Sequence, residues 1–233
     1  MDKVALVTGG NKGIGLEVTR YFLNHNYKVI VVARDFNQFE FADNEHVKTV
    51  TYDLSDIEGI PELIAQLGQI DVLINNAGIM LSLPYDDYPQ DKIDHIIKLN
   101  IESPVALIRE VSKQMIERKS GRIVNNASIA GQIGHPDIWY GITKAGLINA
   151  TKSFSKSIGP HGIIINAVAV SPAETNMLDV IPEARKEAFK KSVITGRFAK
   201  AKEVADTIGW LGTISPDYIN GSCIDINNGS FPR

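Results

Sequence analysis

The chain holds one cysteine, Cys223, in 233 residues. A lone thiol excludes an internal disulfide framework and any zinc spacing built on paired cysteines. Within the strand-like run SCIDI, Cys223 reads as a buried core thiol. The five histidines, His25, His46, His95, His135 and His161, form no H-x-x-x-H or H-E-x-x-H pair, so no metal site is expected. Neither sign of charge dominates: a formal net charge of -3 supplies no basic field that would steer the chain onto nucleic acid. No apolar run approaches the roughly 20 residues of a membrane helix. The opening MDKVALVTGG has too short an apolar stretch for a secretory core, so a cytoplasmic protein without a membrane partner is expected. Low-complexity linkers, charge runs and internal repeats are also missing, and residues 1–233 are expected to form one domain.

What is present points to a folded α/β chain. Hydrophobic residues make up 44% and charged residues 22%, an ordinary globular balance. Apolar, β-branched runs at 3–8, 28–33, 47–51, 71–75, 122–126, 163–169 and 223–226 alternate with amphipathic stretches at 13–25, 57–68, 89–118, 139–158, 183–191 and 201–213. Runs such as VALV, VIVVA and DVLIN are apolar on both faces, which implies an inner, mostly parallel sheet with helices on each side. The expected fold is a doubly wound, Rossmann-like sheet of seven strands. Pro104 should bend or break the long helix at 89–118. Between Arg34 and Val47 lie only about a dozen residues, DFNQFEFADNEH, too few for a full crossover helix. Phe36, Phe39 and Phe41 there either cover a ligand's adenine or, the favoured reading, form a small hydrophobic anchor.

The first strand, VALVT, runs into GGNKGIG and then a helical pattern. Glycines at 9, 13 and 15 permit a tight turn and close approach of a phosphate, and the following helix N-terminus offers unpaired N–H groups and a positive dipole end. The G-x-G-x-x-G fingerprint fails because its third glycine falls on Val18, and the P-loop spacing fails too; T-G-x-x-x-G-x-G, Thr8 to Gly15, fits. Asn11 lies in the same turn.

Carbonyl reduction needs a proton donor at the oxygen where charge develops. Tyrosine is a poor acid near its reference pKa of about 10, and a lysine one helical turn away is a means of lowering that value. Tyr140 and Lys144 have that spacing, and Ser128 ends the strand-like run RIVNNAS on the ligand-bearing edge of a parallel sheet. Ser128 lacks the G-x-S-x-G setting of an α/β-hydrolase nucleophile.

With NNAG at 75–78, Asn100, IVNNAS, Y-x-x-x-K at 140–144 and INGSCIDINNG near the end, the sequence resembles the short-chain dehydrogenase/reductase family over nearly its whole length and in the family's motif order. Among its members it looks most like 3-oxoacyl-carrier-protein reductases and NADPH-dependent carbonyl reductases. The resemblance implies that Asn100, Ser128, Tyr140 and Lys144 form the catalytic set. Tyr140 would be the acid, Ser128 would bind the substrate oxygen, Lys144 would also touch the nicotinamide ribose, and Asn100 would hold a water that relays protons outward. Each has a plain structural alternative: Asn100 as a cap, Ser128 as a turn residue, Tyr140 and Lys144 as a helix-surface pair.

The resemblance also implies the cofactor contacts. Gly9, Gly13, Ile14 and Gly15 would surround the pyrophosphate, Asn11 would contact phosphate or ribose, Asp53 and Leu54 the adenine, and Asn76, Ala77 and Gly78 the adenosine side. Ala33 stands where NAD-specific members usually carry Asp, and Arg34 follows it. Arg34 with Lys12 therefore favours the 2′-phosphate of NADP(H), with Asp35 the contrary signal. After the sixth strand, Val170 and Ser171 replace the family's Pro-Gly step, which leaves the shape of that loop open, while Ala173 and Thr175 remain as cofactor contacts.

Substrate selectivity is expected from the loop 172–197 and from Ser128, Ile129, Gln132, His135, Trp139, Tyr140 and Met177, with Trp139 equally readable as core and His135 as solvent-exposed. The implied reaction is hydride transfer between NADP(H) and a ketone or aldehyde, or the matching alcohol; a 3-oxoacyl thioester and a secondary-metabolite ketone are both in range. The competing readings are a catalytically silent dinucleotide sensor and an epimerase or dehydratase working through a keto intermediate. The family's habit implies a homodimer or homotetramer assembled through helices 89–118 and 139–158.

Overall fold

Burial with a period of two decides the sheet. In β1 (Val4–Thr8) Leu6 faces one side while Ala5 and Val7 face the other. In β2 (Lys28–Ala33) Ile30 and Val32 join the side of Leu6, and Val29 and Val31 the side of Ala5. A strand apolar on both sides has to be covered on both. The computed structural model, which describes residues 3–232, provides that cover. β3 (Val47–Thr51), β4 (Val72–Asn75), β5 (Gly121–Asn126), β6 (Ile163–Val170) and β7 (Cys223–Ile226) complete a seven-stranded sheet in the order β3-β2-β1-β4-β5-β6-β7. Every neighbouring pair is parallel.

On the Leu6 side lie α2 (Ile60–Ala65) and α4 (Ser103–Arg118), which supply Ile60, Leu63, Leu107 and Met115. On the Ala5 side lie α1 (Gly13–Asn24) and α7 (Ala201–Thr213), which supply Val18, Phe22, Val204 and Ile208. Phe22, Ile60, Leu107 and Met115 are fully buried, each adding about 1.5–3 kcal/mol of transfer free energy. Seven-stranded topology, parallel pairing and helices on both faces are as the sequence implied.

The differences are local and have identifiable causes. The stretch 57–68 is helical only in α2, because Pro61 occupies its first turn, Gly68 turns left-handed after it, and the Tyr52 hydroxyl donates to the Asp56 carbonyl at 2.6 Å, holding the preceding loop. The stretch 89–118 is not one regular α-helix. α3 (Gln90–Ile97), a π-helical turn at Lys98–Glu102 and α4 follow one another without a break, and the hydrogen-bond register changes just before Pro104, which has no N–H to give to the ladder. The link from β2 to β3 contains no helix. Phe36, Phe39 and Phe41 contact one another edge-on or tilted, Phe39 is buried among the core residues of the Ala5 side, and Arg20 stacks over Phe41. Those rings are the anchor. Cys223 is half-buried against Ala127, Leu147 and Ile148, not enclosed. Among the described residues no helix is long and apolar enough to cross a membrane.

Candidate active site

β1 sits between β2 and β4, so consecutive strands leave it in opposite directions and a crevice opens beyond their C-terminal ends. A cleft of ≈ 590 Å³ lies there, lined by the segments that follow β1, β2, β4, β5 and β6.

The end of the cleft beside β1 is made mostly of main chain. Gly9 takes φ +63, a left-handed turn that redirects the chain straight off the strand. A Cβ on Gly15 would drive into the Gly9 carbonyl oxygen, so the turn closes only around glycine there. α1 begins at Gly13 without a side-chain cap, leaving the first-turn N–H groups of Gly13, Ile14 and Gly15 without helical acceptors on the cleft wall. Amides stitch the strand ends together. Asn76 Nδ2 donates to the Thr8 and Gly9 carbonyls at 3.0 and 3.2 Å, Thr8 Oγ1 accepts from the Asn76 and Ala77 N–H groups, and Asn126 Nδ2 donates to Asn76 Oδ1 at 2.9 Å. Asn75 ends β4 and its Nδ2 donates to Asn125 Oδ1 at 2.8 Å.

Arg34 and Lys12 are exposed on this end of the cleft, with Asp35 beside them. The Asp35 carboxylate accepts from the Asn37 N–H at 3.3 Å within its own loop, and its carbonyl accepts from Asn11 Nδ2 of the glycine turn at 2.9 Å. Asp53 Oδ1 accepts from the Ser55 N–H and hydroxyl at 2.9 and 2.8 Å, and these bonds hold its carboxyl below the usual range. Leu54, Ala77 and Gly78 complete the wall. The residues fit a dinucleotide: a glycine cradle faces the helix start, and Asn126 Oδ1 is buried on the wall with no donor among the described residues.

At the other end stand the reactive side chains. α5 (Ile138–Ile158) carries Tyr140 and Lys144 on its buried face, and the Lys144 Nζ lies 5.6 Å from the Tyr140 ring centre. Lys144 Nζ donates to the Asn126 carbonyl at 2.8 Å. Ser128 accepts from the Ala130 N–H at 3.1 Å and donates to the Val170 carbonyl at 3.3 Å, which fixes its hydroxyl on the cleft floor. The surface-pair alternative for Tyr140 and Lys144 is thereby removed, since they are 8% and 6% exposed. Burial pushes the Tyr140 phenol above its ordinary range, partly offset by a hydrogen bond with the Ser128 side chain, and burial draws Lys144 down to about 8. The phenol moves in the opposite direction to the expected lowering: both groups are buried, and desolvation is the largest influence on each.

Asn100 lies behind the wall, not on it. It is turned inward by the π-helical segment; its Nδ2 donates to the Ile79 carbonyl at 2.9 Å and to Thr143 Oγ1 at 3.1 Å, and its Oδ1 accepts from the Ile79 N–H at 2.9 Å. Thr143 Oγ1 in turn donates to the Tyr140 carbonyl at 2.8 Å. A Cβ on Gly78 would meet Asn100 Oδ1 at 3.1 Å and Lys144 Nζ at 3.6 Å, which locates all three at one spot.

Of the expected substrate contacts, Ile129, His135 and Met177 line the cleft beside Ser128 and Tyr140. Trp139 does not; it is half-buried against the cluster of Ile96, Ala130 and Tyr140, because consecutive residues of a helix point about 100° apart. Gln132 is also outside, its Nε2 donating to Asp225 Oδ1 at 2.7 Å.

A family model described as short chain dehydrogenase matches residues 3–186. The chain belongs to the short-chain dehydrogenase family. It is 30% identical over 243 aligned residues to a 3-oxoacyl-[acyl-carrier-protein] reductase FabG of Staphylococcus aureus, covering 99% of each chain. Among solved structures it is similar to a 4-hydroxyisoleucine dehydrogenase complexed with NADH, with TM-score 0.92, 28% identity and 98% of each chain covered. It is also similar to ElxO with NADP bound, with TM-score 0.90, 29% identity and 99% of each chain covered.

Val170 and Ser171, in place of the family's Pro-Gly step, stay in or beside the sheet. β6 continues to Val170, and the Ser171 N–H still donates to the Ile226 carbonyl at 3.0 Å before Ala173 bridges to Ala199. Ala173 and Thr175 both reach the cleft. Sequence reasoning missed Asp137, the buried N-cap of α5, whose Oδ1 accepts from the Tyr140 N–H at 3.0 Å and whose Oδ2 accepts from the Ser82 N–H at 2.8 Å. Its signal was present: Asp immediately before an apolar helical start is an N-cap signature. It missed Arg185 as well, for which no local signal exists.

Proposed function

We propose that this short-chain dehydrogenase moves a hydride between NADP(H) and a ketone or aldehyde, or the corresponding alcohol. The observation that carries the reading is the meeting of Ser128, Tyr140 and Lys144 in the cleft whose far end is the glycine turn. The pyrophosphate is held by the turn from Gly9 to Gly15, the 2′-phosphate by Arg34 and Lys12, and the adenine by Asp53 and Leu54. Asn76, Ala77 and Gly78 line the adenosine side, Tyr140 and Lys144 the ribose beyond, and Ala173 and Thr175 the carboxamide. Arg34 favours the phosphorylated cofactor because its guanidinium matches a phosphate bidentately and Ala33 stands where a ribose-binding acid would. When bound, the nicotinamide supplies or accepts the hydride.

The protein's part is to manage one proton. Burial keeps the Tyr140 phenol neutral, so it holds the proton that a reduced carbonyl oxygen requires. The Ser128 hydroxyl binds the same oxygen as its charge develops. Lys144, drawn to about 8, gains or loses its proton near neutral pH and restores that of Tyr140. Asn100 acts as a positioning residue: through Thr143 it ties the Tyr140 turn to Ile79. Assembly as a homodimer or homotetramer through α4 and α5 belongs to the same reading, and Ile138 and Ile142 on α5 are 46% and 51% exposed.

Consumption of NADPH across a panel of ketones and aldehydes, with 3-oxoacyl thioesters included because of the relatives' names, tests the reading. The expected result is carbonyl-dependent oxidation with NADPH bound more tightly than NADH. No turnover in either direction over the panel, or tighter binding of NADH, contradicts it.

A further inference from the structure

The substrate end of the cleft contains a cation that the hydride chemistry does not use. α6 (Glu183–Ser192) borders the cleft and extends Arg185 into it. The Arg185 guanidinium meets His135 Nε2 at 2.6 Å, and the His135 ring lies with its centre 5.3 Å from that of Tyr140. A guanidinium only donates, so in this contact Nε2 presents its lone pair and the ring proton sits on Nδ1, which lies 3.1 Å from both the carbonyl and the N–H of Asp137; with that tautomer the carbonyl is its acceptor. The imidazole is therefore neutral, and burial, which lowers its pKa, agrees.

A half-buried guanidinium ordinarily finds a carboxylate. None pairs with Arg185 among the described residues. Asp137, the acid whose charge acts on Arg185, is consumed: Oδ1 by the Tyr140 N–H and the Tyr88 hydroxyl, Oδ2 by the Leu81 and Ser82 N–H groups. The neighbouring Lys186 is matched by Glu183 at 3.4 Å, and Lys144 is spent on the Asn126 carbonyl. Around Arg185 the cleft is lined by apolar Met177, Ile181 and Phe189. Four of the five N–H donors of this side chain have no acceptor among the described residues, and they stand one imidazole ring away from the phenol.

We propose that Arg185 selects the substrate by receiving the carboxylate of an oxo acid, or of the matching hydroxy acid, whose carbonyl or hydroxyl lies at Tyr140. A carboxylate matches the planar fork of the guanidinium bidentately. The short path through His135 requires the anion to sit on the substrate itself, a few bonds from the reacting carbon. His135 is a positioning residue that orients the guanidinium while adding no charge. The proposal rests on the oxidoreductase reading above for the chemistry at Tyr140, but not for the anion site.

Pyruvate, acetoacetate and levulinate, each against its methyl ester, vary the distance from carboxylate to carbonyl. Wild type should turn over at least one acid with kcat/KM about tenfold or more above its ester. Arg185→Gln should erase that preference by raising KM for the acid roughly 10- to 100-fold, with the ester's kcat unchanged. Arg185→Lys, which keeps charge without the fork, should fall between. Arg185 lies outside both large core clusters, so these variants leave the core intact. Calorimetric binding of butyrate and butyramide separates the two readings. Butyrate bound about tenfold more tightly by wild type than by Arg185→Gln, with no difference for butyramide, supports the anion site even if no carbonyl is turned over; in that case only the oxidoreductase reading falls. Equal butyrate binding by both proteins, or an unchanged acid-to-ester ratio in Arg185→Gln, overturns the proposal.

Discussion

The two ends of the cleft are built from different materials. The dinucleotide end is main chain and short amides: the turn from Gly9 to Gly15, the bare start of α1, and the asparagine ladder from Thr8 through Asn76 to Asn126. The substrate end is long side chains brought from separate elements, with His135 and Arg185 joined across 50 residues. Main-chain sites tolerate almost no added atom, whereas side-chain sites can be altered one contact at a time. The same fold can therefore hold one cofactor class firmly while its substrate end varies.

The sharpest way to break that contrast is to add one methyl group at each end. Gly15→Ala would set a Cβ against the Gly9 carbonyl and Asn76 Nδ2. A loss of about 3 kcal/mol or more in unfolding free energy is expected, together with loss of dinucleotide binding. Gly134→Ala is the control at the substrate end: its Cβ meets nothing within 4 Å, and urea unfolding should stay within about 0.5 kcal/mol of wild type. Equal stability of the two variants would remove the distinction.

Next in size is the cost of burying Lys144. Its pKa is about 8 in the fold against 10.5 ordinarily. Below about pH 8 both folded and unfolded chains hold the proton, and the fold carries the whole cost of the buried charge. Between these values the unfolded chain keeps a proton that the folded chain has lost, so stability rises with pH; above both, the cost is gone. Lys144→Met has no such titration. Its stability relative to wild type should therefore fall by about 3 kcal/mol from below pH 8 to above pH 10.5, read by denaturant unfolding at each end. A difference independent of pH would contradict the desolvation account.

The smallest expected effect concerns the cofactor's phosphate. Arg34→Ala should weaken NADPH binding about tenfold and leave NADH binding unchanged. Titration of both cofactors checks it, and an undiminished preference for NADPH would shift the assignment away from Arg34.

Much of this was legible in the sequence because it depends on contiguous patterns. Apolar, β-branched runs marked the strands, whose ends moved by a residue at most, and one spacing of glycines marked the tight turn on the cleft wall. Tyr140 and Lys144 were readable as a pair because one helical turn separates them. What escaped depended on tertiary context. The π-helical turn that aims Asn100 inward has no composition signal, and Pro104 marked only that the helix must change nearby. Trp139 was ambiguous because a helical neighbour of Tyr140 points about 100° away from it, far enough to leave the cleft wall while still packing on the same cluster. The effect of the lysine on the phenol was misjudged because spacing carries no information about how deeply both groups are buried. Arg185 was invisible because its meaning lies wholly in a contact with His135.

Tyr140→Phe tests the central claim most directly, since it keeps the buried ring and removes only the hydroxyl. Cofactor affinity and carbonyl-dependent NADPH oxidation should be measured on the same preparation. The account predicts NADPH binding within about twofold of wild type, and turnover reduced at least about a hundredfold. Turnover within a few-fold of wild type would show that the proton comes from elsewhere, and the role of Tyr140 would have to be abandoned.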